Sequence, residues 1–138
     1  MHKKLRFAVL FGNRGFFPGE IVAEARKEMS EAIIKGGFEP LMMDESLTRF
    51  GAVESIAEGK LFAAFLAEQK PDGVVICLPN FGDETAAAIA CQDAWVPILI
   101  QAYPDVVGED GFCSSPGCFL WKALYHGCIL TVWYPLHY

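Results

Sequence analysis

Three stretches of this chain are apolar almost from end to end and each is seven residues long: "LRFAVLF" (Leu5 to Phe11), "GVVICLP" (Gly73 to Pro79) and "VPILIQA" (Val96 to Ala102). A strand with one wet face alternates polar and apolar residues, whereas runs like these suit strands buried on both faces of a sheet. Strands of that kind need helices above and below them, and the text between the runs supplies helical spacing. From Glu20 to Lys35 the apolar residues Ile21, Ala25, Met29, Ala32 and Ile33 recur along one helical face, with Glu20 in the first turn and Gly36-Gly37 as a stop signal. A second helix is expected over Lys60 to Gln69, carrying Leu61, Phe62, Phe65 and Leu66 and ending before Pro71. A third is the alanine-rich "ETAAAIACQDA".

"FEPLMMD" (Phe38 to Asp44) reads as one more strand, placed at a sheet edge because Pro40 has no amide hydrogen for a ladder. The stretch "ESLTRFGAVESIAEG" reads as polar and irregular. The resulting pattern, βαβαβαβ, is that of a doubly wound, flavodoxin-like α/β domain in three layers, with the four strands expected in the order 2-1-3-4.

The totals fit one such domain: 138 residues, 53% hydrophobic and 20% charged, with a formal net charge of -6. An acidic chain offers no broad basic face to a phosphate backbone, so no nucleic-acid partner is expected. No apolar run reaches the roughly 20 residues that a spanning helix needs, so no membrane partner is expected either. The run Phe7 to Phe11 behind Met1-His2-Lys3-Lys4 is too short for a secretory core, and five scattered cysteines suit reduced thiols, so the expected location is cytoplasmic.

In an open parallel sheet, ligands bind beyond the carboxyl ends of the strands. Three loops lie there: "GNRGFFPGE" after the first strand, "PNFGDE" after the third and "QAYPD" after the fourth. They supply Asn13, Arg14, Asn80, Phe81, Asp83, Glu84, Gln101 and Tyr103 as the expected substrate-facing set, with Asp105 close behind. Amides, carboxylates and a guanidinium suit a polyhydroxylated ligand, since each can meet a hydroxyl with a directed hydrogen bond. The bland reading stands beside it: loops at strand ends are polar in any case, and Asp83 serves simply as a helix cap.

Two rival chemistries are weaker. A phosphate or flavin site in "GNRGFFPGE" lacks both standard glycine spacings, places Phe16 and Phe17 where backbone must approach phosphate, and adds the charge of Glu20. Cys77 and Cys91 read as small core residues, and Cys113, Cys118, His126 and Cys128 match no ordinary zinc spacing. No catalytic and no metal-ligating residue is therefore assigned.

The strings "FGNRGFFPGE", "RFGAVES", "LPNFGDE" and "PILIQAYPD", in this order, resemble the N-terminal domain of the L-fucose isomerase and L-arabinose isomerase family, in its L-fucose isomerase-like branch. The resemblance implies an oligomeric aldose-ketose isomerase in which a divalent metal such as Mn2+ polarises the carbonyl while carboxylates move protons between C1 and C2. It also implies that this domain is a substrate-side wall and assembly unit at a subunit interface. The metal ligands and acid-base groups would then lie in later domains, no cofactor would belong to this chain, and the chain alone would be inactive. A stand-alone module binding a sugar or nucleotide is the alternative.

The text changes character after the last of these strings, so residues 1–111 are expected to form the domain and 112–138 an atypical aromatic tail. Members of the family that it resembles continue with a string like "RRDAFCGK", then nine residues, then "YGIPFT". The codons of Pro116 to Lys122, read one base later, permit Arg-Asp-Ala-Phe-Cys-Gly-Lys, with the glycine forced as GGA by Trp121 and Lys122. Nine triplets further on, Val132 to Leu136 permit Tyr-Gly-Ile-Pro-Phe, with its glycine forced as GGT. The tail is accordingly read as frameshifted, without a catalytic role and without regular packing after about Gly111; the ordinary alternative is that it packs on the open sheet or pairs with another chain.

Overall fold

The structure, a computed structural model, describes residues 3–79 and 82–103 and the backbone of residues 131–133. The chain runs through β1 (Arg6–Gly12), α1 (Glu20–Lys35), β2 (Glu39–Met42), a 3-10 turn (Arg49–Gly51), β3 (Ala52–Val53), α2 (Ile56–Gln69), β4 (Gly73–Leu78), α3 (Glu84–Cys91), β5 (Ile98–Ala102) and β6 (Thr131–Trp133). The sheet order is β2-β1-β4-β5-β6, with the short β3 pairing with β1 beside this path. The four strands expected from the apolar runs and "FEPLMMD" are β1, β2, β4 and β5, and they lie parallel in the order 2-1-3-4. The edge position of β2 agrees with Pro40, which sits opposite Phe7.

The apolar runs are central strands because they alternate between two cores. Ala8, Leu10, Val74, Ile76 and Ile98 face α2 and α3 and pack with Phe62, Leu66, Ala86 and Ala90. Val9, Phe11, Val75 and Cys77 face α1 and pack with Val22, Ala25 and Ile33. The second face is only partly covered among the described residues: between α1 and β5 an apolar groove of about 390 Å3 is lined by Phe7, Met29, Ile33, Val75 and Leu99 among others.

Local signals account for the helix ends. After Lys35 the amide of Gly37 donates to Ile34 O at 2.9 Å and that of Phe38 to Ile33 O at 3.0 Å, the paired bonds that close a helix at a glycine. The helix α2 starts four residues earlier than the spacing of its large apolar residues indicates. Ser55 caps it, its Oγ accepting from the Glu58 amide at 3.4 Å, while the Glu58 carboxylate accepts from the Glu54 amide at 2.7 Å. Ser55-x-x-Glu58 is a capping signal inside the stretch read above as irregular. At the opposite end of the sheet Asp72 ties β1 to the turn before β4, accepting from the Arg6 amide at 2.9 Å and from Lys3 Nζ at 3.3 Å. The Arg6 bond, ahead of Lys3, holds the Asp72 carboxyl below its usual pKa.

No regular element is expected after about Gly111, yet Thr131–Trp133 form a short strand antiparallel to β5. The rest of the tail, and the codon-level reading of it, lie outside the described residues. Among the described residues, no helix is long and apolar enough to cross a membrane.

The helices α2 and α3 touch through a glycine. A Cβ placed on Gly59 would lie 2.5 Å from the carbonyl oxygen of Ala86. Alanine usually favours a helix interior over glycine by about 1 kcal/mol, but overpacking of this kind costs about 1–3 kcal/mol. Gly59→Ala is therefore expected to destabilise the protein by about 1 kcal/mol in urea unfolding, and unchanged or raised stability would contradict this packing.

Candidate functional site

The strand β1 is buried from Ala8 to Phe11 and then passes at Gly12 into the loop 13–19 at the carboxyl end of the sheet. A Cβ on Gly12 would lie 2.7 Å from Leu78 Cδ2 and 3.1 Å from the Cα of Gly82. The loops after β1 and β4 thus meet backbone against backbone, which only a residue without a side chain allows. Across this contact Arg14 Nε donates to Gly82 O at 3.0 Å, and Arg14 Nη2 donates to both carboxylate oxygens of Glu84 at 2.8 and 2.6 Å.

The segment 49–54 locks the same loop from the other side. Ala52 and Val53 pair with Phe11 and Gly12, and the Asn13 amide donates to Val53 O at 3.3 Å. The Asn13 side chain is fully buried, its Nδ2 donating to Glu54 Oε1. Arg49 Nη1 donates to Gly15 O at 3.1 Å and lies 3.7 Å from the Glu54 carboxylate. Phe50 adopts the left-handed conformation (φ 58°), uncommon for an aromatic residue. Its ring lies so close to Gly19 that a Cβ there would be 2.5 Å from ring atom Cε2. Beneath these contacts Arg26 of α1 donates through Nη2 to Met43 O at 2.9 Å and stands over the Phe11 ring at 5.4 Å. Burial lowers the pKa of Arg26, against the raising influence of Glu45 and Asp44.

The expected substrate-facing residues fall into two groups. Asn13, Arg14, Asp83 and Glu84 gather where the first and third loops meet, although Asn13 is turned inward to Glu54 and Asp83 caps α3, its Oδ1 accepting from the Ala86 amide at 2.8 Å. Gln101 and Tyr103 belong to the α1 face. Gln101 lines the apolar groove and donates to Ala102 O at 3.1 Å; its Oε1 is buried without a partner. Tyr103 donates to Glu28 Oε2 on α1 at 2.9 Å, and burial together with that bond pushes its pKa up. Asn80, Phe81 and Asp105 lie outside the described residues. Arg49 and Glu54 are the residues that the loop rule does not select, because they precede α2 rather than follow a long strand. The signal for them was the string "RFGAVES" and its capping serine.

The rival chemistries find little support in the geometry. The N-terminus of α1 carries the negative charge of Glu20 in its first turn and has the Phe50 ring packed against its cap, Gly19. Cys77 and Cys91 are buried, and burial pushes their thiols up to about 12 and about 11, which suits core residues rather than nucleophiles. Cys113, Cys118, His126 and Cys128 lie outside the described residues.

Three of the four strings, "FGNRGFFPGE", "RFGAVES" and "LPNFGDE", meet in this interlock, and the comparison with known families agrees with the resemblance. Residues 8–115 match the family described as fucose/sulfoquinovose isomerase, N-terminal domain. The chain belongs to this family. The match spans β1 to β5 and every loop contact described above, so the fucose/sulfoquinovose isomerase N-terminal domain is the unit to which these contacts belong. No curated protein matches the chain.

Proposed function

We propose that this chain is the substrate-side and assembly domain of a cytoplasmic aldose-ketose isomerase, presenting the loops at the carboxyl end of its sheet to a sugar at a subunit interface of a homo-oligomer. The observation that carries this reading is the family match over residues 8–115, because it covers the loops that interlock around Gly12 to Gly19. In this role the domain orients a substrate and excludes water; it moves no proton itself. Arg14 is the group best placed for orientation, since its Nε and one Nη are fixed by Gly82 and Glu84 while its side chain remains about one-third exposed.

The chemistry of proton transfer between C1 and C2 asks for a Lewis acid and paired carboxylates. The carboxylates described here are otherwise engaged: Asp83 with a helix amide, Glu84 with Arg14 and Glu54 with Asn13. Among the described residues no three His, Cys, Asp or Glu side chains gather in a way that could hold Mn2+. The described residues do not fit the metal, and no step is routed through it. Purified chain incubated with L-fucose, L-arabinose and related aldoses plus Mn2+ should form no ketose above the blank; metal-dependent turnover by this chain alone would contradict the reading.

The same reading extends to the tail. The family match ends at Ser115, one residue before the codons whose shifted reading permits the family's continuation. We propose that the residues from Pro116 onward are text of a shifted frame. DNA read through the codon for Ser115 should show, in the next frame, an open continuation with "RDAFCGK"; an immediate stop in that frame would end this proposal.

A further inference from the structure

The family description pairs two sugars of different charge: fucose is neutral, and sulfoquinovose carries a sulfonate. An anionic sugar needs an unengaged cation or a free helix N-terminus, because a sulfonate gives up hydration that only donors can replace. The carboxyl end of this sheet has three guanidiniums, and each is matched by acidic groups of the same chain. Arg14 takes both oxygens of Glu84, Arg49 lies beside Glu54, and Arg26 faces Glu45 and Asp44. Of the two helix starts nearest this loop, α3 is capped by the carboxylate of Asp83, and α1, which has no side-chain cap, carries the negative charge of Glu20 in its first turn.

From this arrangement we infer that Glu84, acting through Arg14, is a specificity-determining residue that makes the wall receptive to an uncharged polyol and unreceptive to a sulfonated or phosphorylated sugar. The inference rests on the polyol-facing role proposed above and adds to it the charge class of the ligand. The mechanism is competition. Glu84 starts α3 and Arg14 is anchored to Gly82 two residues away, so the carboxylate is a tethered anion. A tethered group competes at an effective concentration on the order of millimolar, which a free anion must exceed to displace it. Glu84 is 81% exposed on its side chain, so the pair is wet and its strength modest, and changing it does not disturb the core. An uncharged hydroxyl does not have to displace the carboxylate; it can accept from the remaining guanidinium hydrogens or donate to Glu84.

The test uses the full chain and the NMR signal of the Arg14 Nε–H, assigned by its loss in Arg14→Lys, titrated with methanesulfonate as the anionic probe. In the unaltered chain the signal should move only at concentrations at least about fivefold above those that shift it in Glu84→Gln. In Glu84→Gln it should move saturably, with the anion bound about fivefold more tightly or better, the upper range for an exposed pair. Glu84→Asp, which keeps the charge, should behave like the parent. A saturable response in the unaltered chain equal to that of Glu84→Gln would overturn the inference, as would failure of Glu84→Gln to gain one. Titration with L-fucose separates the two layers: if no loop signal responds to the neutral sugar, the polyol role fails, whereas the anion titration alone decides the part played by Glu84.

Discussion

The contact on which this end of the molecule depends is the packing of other chain segments directly onto the backbone of residues 12–19. Gly12 lets the loop before α3 approach to van der Waals distance, and Gly19 lets the edge atoms Cδ2 and Cε2 of the Phe50 ring come close to the start of α1. A Cβ at Gly19 would force the Phe50 ring aside, and one at Gly12 would press on Leu78 and on the backbone of Gly82. With both in place the loop is held from two sides, and polar groups complete the lock: Arg14 to Gly82 and Glu84, Asn13 to Glu54, Arg49 to Gly15. Phe50 accepts a left-handed backbone at a cost on the order of 1–3 kcal/mol, which packing against Gly19 and Arg49 must offset.

This explains why strings that are far apart in sequence identify the family only together. "FGNRGFFPGE", "RFGAVES" and "LPNFGDE" occupy three segments, yet each supplies one side of a single junction. The junction also decides what the site can do. Its carboxylates are engaged in holding the loops: Glu54 with Asn13, Glu84 with Arg14 and Asp83 with the first turn of α3.

Much of the fold was legible because burial on both faces leaves a continuous apolar run, as in Leu5 to Phe11 and Gly73 to Pro79, and because Pro40 can sit only at an edge. The start of α2 was not legible from its large apolar residues, since Ile56 is exposed and Gly59 is buried for want of a side chain; only Ser55 and Glu58 mark it. Within the candidate site, residue type and loop position brought forward Arg14 and Glu84, which do meet, and Asp83 beside them. Position alone said nothing of side-chain direction. Leu99, Gln101 and Tyr103 alternate along β5, so all three share the α1 face, and this sends Gln101 and Tyr103 to the groove and to Glu28 rather than to Arg14. Asp83 turned out to be the helix cap that its position before an alanine-rich helix also suggested.

The most direct test of this account is amide hydrogen exchange in Phe50→Ala, because that substitution removes one side of the lock without touching the loop itself. The amides of Asn13, Phe17 and Val22 donate to Val53 O, Arg14 O and Gly19 O, and they report the loop and the start of α1. If the loop is held by the Phe50 ring, all three should exchange faster in the variant while the amides of β4 keep their protection. Faster exchange confined to residues 48–52, with Asn13, Phe17 and Val22 unchanged, would show that the loop holds its shape without the lock.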